Sequence, residues 1–352
     1  MNIKTKAPAR IDLAGGTLDL WPLYLFFDHA STINFAVNQY AEVEIEVGVE
    51  SKVDSAAGIK LSSEDRNVSH TFKSYGELLE SFQGSHKAKV LPPALWVHAK
   101  LARHFFSFWR KTAPVHIKTR CAAPAGAGLG GSSALNIALC VALRKLTLAK
   151  YTDEELIGLA RDLETTVIDI PAGVQDYWSA LFGGVQAIRM EAGRVHRKVF
   201  TKQKSFLEKH IILCYSGQSR NSGINNWAVY KGFIDGDEGI REAFRNIVTA
   251  TQRVEEALER HSYEKLLEAV ELEWNARQKL APTIVTPEMN ATITKGKSFG
   301  ADAAKVCGAG GGGCFIFAVP DGKKDSTTEK LKKAGVQVID FLVSEEGCVV
   351  NE

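Results

Sequence analysis

Several features are missing from this sequence, and each absence removes a class of function. The chain holds six cysteines (121, 140, 214, 307, 314 and 348) with no C-x-x-C pair among them. Most sit in apolar runs, so they read as reduced core residues of a cytoplasmic protein rather than a disulfide framework or a zinc site. There is no charge excess: 43 basic residues face 41 acidic ones, for a net charge of +2, which gives no reason to expect a nucleic-acid partner. No run approaches 18 apolar residues, so no membrane-spanning helix is expected. The first six residues run straight into patterned sequence, and no secretory leader is expected. Internal repeats and low-complexity tracts are absent. What remains is a chain of 352 residues, 45% hydrophobic and 24% charged, enough for two domains sharing an interface. The boundary is expected in the basic, loosely patterned stretch 190–205, which gives units of about 1–195 and 196–352. A monomer or homodimer is expected.

The most informative stretch is Pro124-Ala-Gly-Ala-Gly-Leu-Gly-Gly-Ser-Ser-Ala134. Before it, Val115–Cys121 reads as a strand. After it, the residues to Ala149 are apolar almost all round, as in a buried helix. Gly126, Gly128, Gly130 and Gly131 allow close backbone approach, and the helix that opens at Ser132 and Ser133 offers free N–H groups and a positive dipole end. The expected guest is a phosphate, from a nucleotide. Gly126, Gly128 and Gly131 also satisfy G-x-G-x-x-G, but the acidic residue that a dinucleotide site needs about 20 positions on falls inside the helix at Lys145–Lys150. A Walker loop would end in Gly-Lys-Ser/Thr, and no lysine is present.

Together with two other segments, this loop resembles the GHMP kinase superfamily, named for galacto-, homoserine, mevalonate and phosphomevalonate kinases. Pro124, Gly128, Leu129, Gly130, Ser132, Ser133 and Ala134 follow the family's second motif, with Gly131 where a serine often stands. Ala7–Asp19 resembles the first motif and Lys305–Phe317 the third. The resemblance implies an α+β, two-domain fold, with a ribosomal-S5-like N-terminal domain and a ferredoxin-like C-terminal domain with added helices. It also implies ATP as phosphoryl donor, Mg²⁺ as its counterion, and a small-molecule acceptor.

Phosphoryl transfer needs a nucleotide cradle, a cation, a positioned hydroxyl and a proton acceptor. Pro124, Gly126, Gly128, Leu129, Gly130, Gly131, Ser132 and Ser133 are the candidate cradle. Ser132 and Glu164, which matches the family's magnesium glutamate, are the candidate metal ligands. Asp176 stands where the family carries its catalytic aspartate, and Arg10 where it carries the first motif's basic residue. The acceptor is expected at Gly16, Thr17, Asp19, Arg220 and Gly310. A carboxylate at Asp19 can accept two hydroxyls of a polyol, and the planar fork of Arg220 suits a phosphate. Ala14-Gly-Gly-Thr-Leu-Asp19 is more similar to heptose-phosphate and fucose kinases than to mevalonate-type members, which usually carry Gly-Glu-His there. The expected activity is therefore an ATP-dependent sugar or sugar-phosphate kinase. A mevalonate or homoserine kinase, and a non-catalytic sugar sensor, are the alternatives. Ser62–Asn67 is the candidate for contacts to the base.

Elsewhere the pattern predicts strands over Ile3–Ala14, Val37–Val49, Gly183–Ile188, Ile211–Tyr215 and Val336–Val343, and a hairpin over Val53–Phe72. A pair of strands is expected over Lys305–Val319. Helices are expected over Pro93–Trp109, from the capping box Thr152-Asp-Glu-Glu155, through Ile240–Leu258, and over Tyr263–Arg277, Pro287–Ser298 and Asp325–Ala334.

Overall fold

The computed structural model describes residues 1–48, 58–83, 85, 90–109, 113–219 and 222–351. The chain opens with β1 (Asn2–Ala14) and the 17-residue β2 (Ser31–Val47), then β3 (Ile59–Ser63), β4 (Val68–Phe72), α1 (Tyr75–Glu80), α2 (Trp96–Phe106) and β5 (Val115–Cys121). Three helices follow, α3 (Gly131–Thr147), α4 (Asp153–Ile168) and α5 (Gln175–Phe182), before the hairpin β6 (Val185–Glu191) and β7 (Arg194–Phe200). The second half runs through α6 (Lys204–His210), β8 (Ile211–Tyr215), α7 (Ser222–Ile234), α8 (Glu238–Arg260), α9 (Tyr263–Arg277) and α10 (Pro287–Ser298). It ends with β9 (Ala303–Val306), β10 (Cys314–Ala318), α11 (Lys324–Lys333), β11 (Gln337–Ile339) and β12 (Val349–Asn351).

Two sheets organise these elements among the described residues. The larger has the order β12-β1-β2-β5-β3-β4, with the β6–β7 hairpin attached through β2. The smaller has the order β11-β8-β10-β9. All pairings are antiparallel except β3 with β5. β2 is long enough to serve two partners: Ser31–Phe35 pairs with β6, and Ala41–Val47 with β5. The expected alternation holds along it, with Val43 and Ile45 buried and Glu42 exposed.

α3 packs on the larger sheet and is buried nearly all round, as its composition predicts; every residue from Ser133 to Leu143 is buried. α4 starts at the anticipated capping box, with the Thr152 hydroxyl accepting from Glu155 N–H and Glu155 returning a bond to Thr152 N–H. Residues 190–205, expected to be a loose boundary, instead form β7 and the start of α6, so the first sheet continues to Phe200. The C-terminal β12 returns to pair with β1 of that same sheet. One core cluster mixes Ile11 and Leu13 of β1 with Val254 and Leu258 of α8, Val270 of α9, and Leu213 and Ile316 of the smaller sheet. The two halves thus share buried surface. Of the predicted hairpin, residues 53–57 lie outside the described residues. Among the described residues the six cysteines form no disulfide, and four of them are buried.

Candidate active site

A cavity of about 490 Å³ opens where β1, the glycine loop, α4, α5 and the loop before β10 converge. Positive φ at Gly126 (69°), Gly128 (76°) and Gly130 (70°) lets the loop between β5 and α3 fold tightly along its wall. At Gly130 the constraint is also steric, because a Cβ there would stand 3.0 Å from the carboxyl carbon of Asp176. Gly131 is closely packed as well: a Cβ there would meet Cys121 Sγ at 2.9 Å and Ala123 Cβ at 3.2 Å. The next two residues, Ser132 and Ser133, line the cavity from the first turn of α3.

Arg10 and Asp176 meet beside this loop. Arg10 Nε donates to Asp176 Oδ1 at 2.7 Å, a second guanidinium nitrogen lies 2.7 Å from the same oxygen, and a third donates to the carbonyl of Gly128 at 2.5 Å. The Arg10 N–H donates to Leu129 O at 2.8 Å, which ties β1 to the loop. Arg10 is buried; that burial opposes its charge, but Asp176 and Asp12 outweigh it and hold the guanidinium protonated. Asp176 stands in the first turn of α5 and keeps part of its surface open to the cavity.

Glu164 is buried on α4 and faces the cavity. Ser132 donates to its Oε1 at 2.7 Å, Asn136 to its Oε2 at 2.8 Å, and the Tyr177 hydroxyl also donates to Oε2. Burial raises the Glu164 carboxyl above its ordinary value and pushes the Tyr177 hydroxyl well up, since each disfavours a further negative charge. Arg161, on the same helix, pairs with Asp162. One hydroxyl and one carboxylate oxygen, adjacent and facing the cavity, form a donor set that fits the small protein share of a Mg²⁺ site. Among the described residues no group of three or more His, Cys, Asp and Glu could hold a metal by itself.

Asp19 is buried in the same wall, with Oδ2 accepting from Gln175 N–H at 3.0 Å and Gly173 packed so closely that a Cβ would overlap the carboxylate. Burial is the main reason its carboxyl rises to about 6, with nearby Asp176 adding to it and the Gln175 bond opposing it. Thr17 lines the cavity and donates to Asn226 of α7 at 3.4 Å. Gly16 lies behind the lining, against Asp12 and Gln175. Gly310 also stands back from the cavity, packed on Ile284, and Gly308 and Ala309 line it in its place. Arg220 lies outside the described residues. From the base-contact candidates, Ser63, Asp65 and Arg66 line another part of the wall, with Pro93, Val97 and His98. The third motif's glycine segment packs its backbone on the second's: Cys314 N–H donates to Ala127 O at 2.6 Å, and a Cβ on Gly313 would stand 2.7 Å from that oxygen.

Residues 94–184 match the family description GHMP kinases N terminal domain, and residues 254–337 match GHMP kinases C terminal. The chain belongs to the GHMP kinase family. A relative within it, the D-glycero-alpha-D-manno-heptose 7-phosphate kinase of Campylobacter jejuni, is 25% identical over 98% of this chain and 97% of its own. A mevalonate kinase from Pyrococcus abyssi is 24% identical over 65% of this chain and 66% of its own. Among solved structures, a D-glycero-D-manno-heptose 1-phosphate kinase from Bacteroides thetaiotaomicron shares the fold with a TM-score of 0.75 at 19% identity, covering 99% of both chains. The GHMP motifs read from the sequence thus converge on one cavity, with Gly16 and Gly310 as supports behind it. Sequence reasoning missed Asn136 and Tyr177, which donate to Glu164 beside Ser132. A polar Asn136 four residues after Ser132 in an otherwise apolar helix was the available signal.

Proposed function

We propose that this GHMP kinase transfers the γ-phosphoryl group of ATP to a hydroxyl of a sugar phosphate, with Asp176 receiving the hydroxyl's proton. The observation that carries this reading is the Arg10–Asp176 pair, set against the glycine loop at Gly130 and open to the cavity. The loop amides and the first turn of α3 would hold the nucleotide's phosphates. Asp176 would orient the acceptor hydroxyl and take its proton as the oxygen bonds to phosphorus and the bond to ADP breaks. Arg10 would offset charge developing on the transferring group. Ser132 and Glu164 would hold Mg²⁺, which neutralises phosphate charge when bound; Asn136 and Tyr177 would keep Glu164 Oε1 turned toward it.

Asp19, Thr17 and Asn226 line the part of the wall proposed for the acceptor. Asp19 uses one oxygen on Gln175 and keeps the other for sugar hydroxyls. Ser63, Asp65 and Arg66, with Pro93 and Val97, are proposed to frame the base. A phosphorylated acceptor is favoured because the heptose 7-phosphate kinase is alike over nearly its whole length, whereas the mevalonate kinase is alike over about two thirds. An intact Arg10–Asp176 pair speaks for turnover rather than sensing. The test is ATP consumption with Mg²⁺ against heptose 7-phosphate, unphosphorylated heptose, fucose, galactose, homoserine and mevalonate. The proposal expects the highest kcat/KM on the sugar phosphate. Activity confined to mevalonate or homoserine would replace the sugar reading, and no turnover on any acceptor would leave a sensor.

A further inference from the structure

Four charged side chains lie fully buried behind the cavity, and the proposed chemistry does not use them. They are Asp12 of β1, Glu273 and Arg277 of α9, and Lys305 of β9. Interiors rarely hold such a group, because each charge loses its hydration and is repaid only by close, well-aligned partners. Here the alignment is incomplete. Lys305 Nζ donates to the Asp12 carbonyl at 2.7 Å, but stands 3.5 Å from Asp12 Oδ2 and 3.8 Å from Glu273 Oε2. Among the described residues, both Asp12 carboxylate oxygens and Glu273 Oε2 have no hydrogen-bond partner. An apolar cluster would fill the same space at less cost, so the quartet's geometry calls for another account.

Arg277 supplies it. Its Nε donates to Glu273 Oε1 at 2.6 Å, and one terminal nitrogen lies 2.5 Å from the same oxygen. That same nitrogen donates to the carbonyl of Gly16 at 2.9 Å, and the other to the carbonyl of Gly308 at 3.3 Å. Gly16 and Gly308 belong to loops at opposite ends of the sequence. Thr17, which follows Gly16, lines the cavity, as do Gly308 and Ala309. Gly16 is packed closely on the quartet, since a Cβ there would meet Asp12 Oδ2 at 2.5 Å and an Arg277 nitrogen at 3.4 Å. One guanidinium therefore ties together two backbone segments, each of which continues into the lining of the pocket.

We infer that Arg277 is a positioning residue for the acceptor: its fork, aimed by Glu273, clamps the Gly16 and Gly308 backbones together and so fixes the placement of the acceptor wall that begins at Thr17. This rests on the proposed assignment of the Thr17–Asp19 wall to the acceptor. Lysine preserves the charge but cannot bond both carbonyls and Glu273 in one plane. The experiment compares wild type, Arg277→Lys and Glu273→Gln. It measures KM and kcat for D-glycero-D-manno-heptose 7-phosphate, and the Kd of a non-hydrolysable ATP analogue with Mg²⁺. Arg277→Lys is expected to raise the acceptor KM about tenfold, and Glu273→Gln less, while kcat and the nucleotide Kd stay within about twofold of wild type. An unchanged acceptor KM, a parallel loss of nucleotide affinity, or failure of both variants to fold makes the quartet a stability element and overturns the inference. If wild type turns over only mevalonate, the sugar reading fails, and the same KM comparison on mevalonate still decides the role of Arg277.

Discussion

Asp19 shows how a residue can be costly to the fold and useful to the site. Its carboxyl is raised to about 6, chiefly by burial, with Asp176 adding to the shift. The native value lies above the unfolded one, so the native state holds this proton more tightly. The stability it contributes is complete at acid pH, below the unfolded value near 4, and is lost as pH rises through about 6. At pH 7.5 the ionised carboxylate therefore burdens the fold by about 1–3 kcal/mol. Asp19→Asn is expected to raise the thermal midpoint at that pH, with the difference vanishing near pH 4. In wild type the acceptor KM should fall as pH rises through about 6, because only the ionised form accepts two hydroxyls. The variant should show a high, flat profile. A KM that ignores both pH and substitution would remove Asp19 from acceptor binding.

At the scale of elements, the glycine loop is where backbone conformation and chemistry are hardest to separate. Gly130 has φ of 70° and no room for a methyl group beside Asp176. Gly130→Ala is expected to cost about 1–2 kcal/mol of stability from the left-handed backbone alone. It should also lower kcat by far more than that implies, because Asp176 must move. Gly158, inside α4 with open space around its Cα, is the control. Gly158→Ala should stabilise by about 0.5–1 kcal/mol and leave turnover unchanged. Comparable kcat losses in both variants would show that the loop carries no special geometry.

Elements with a strong local period were legible in the sequence. β5, β8, α9 and α10 fall on their anticipated residues, because each carries its own apolar pattern or cap. β7, α7 and β12 were not read. Three consecutive half-buried polar residues, His196, Arg197 and Lys198, break the alternation of β7, and β12 is three residues whose partner β1 lies at the other end of the chain. The motif positions Arg10, Asp19, Ser132, Glu164 and Asp176, expected at the site, all line one cavity. Gly16 and Gly310 were taken for substrate contacts, yet their backbones pack behind the wall, a distinction that residue type alone does not carry.

At the scale of the molecule, the two halves are joined by a shared apolar cluster and by the Asp12–Lys305–Glu273–Arg277 quartet. The quartet comes from three distant segments and has no local signature, which is why sequence reasoning passed over it. Lys305→Met would leave the carboxylates of Asp12 and Glu273 facing each other without the ammonium between them. A loss of about 3–5 kcal/mol is expected in chemical denaturation. A loss below about 1 kcal/mol would mean that the two carboxylates do not depend on Lys305.

Asp176, held by Arg10 against the glycine loop, is proposed to take the acceptor's proton. Asp176→Asn keeps the shape of the side chain and can still meet Arg10 through its amide oxygen, but it cannot accept the proton. Its kcat on the acceptor that wild type uses best should fall by about 10²–10⁴-fold, while the Kd for the non-hydrolysable ATP analogue stays within about threefold of wild type. Near-normal kcat with intact nucleotide binding would contradict the account.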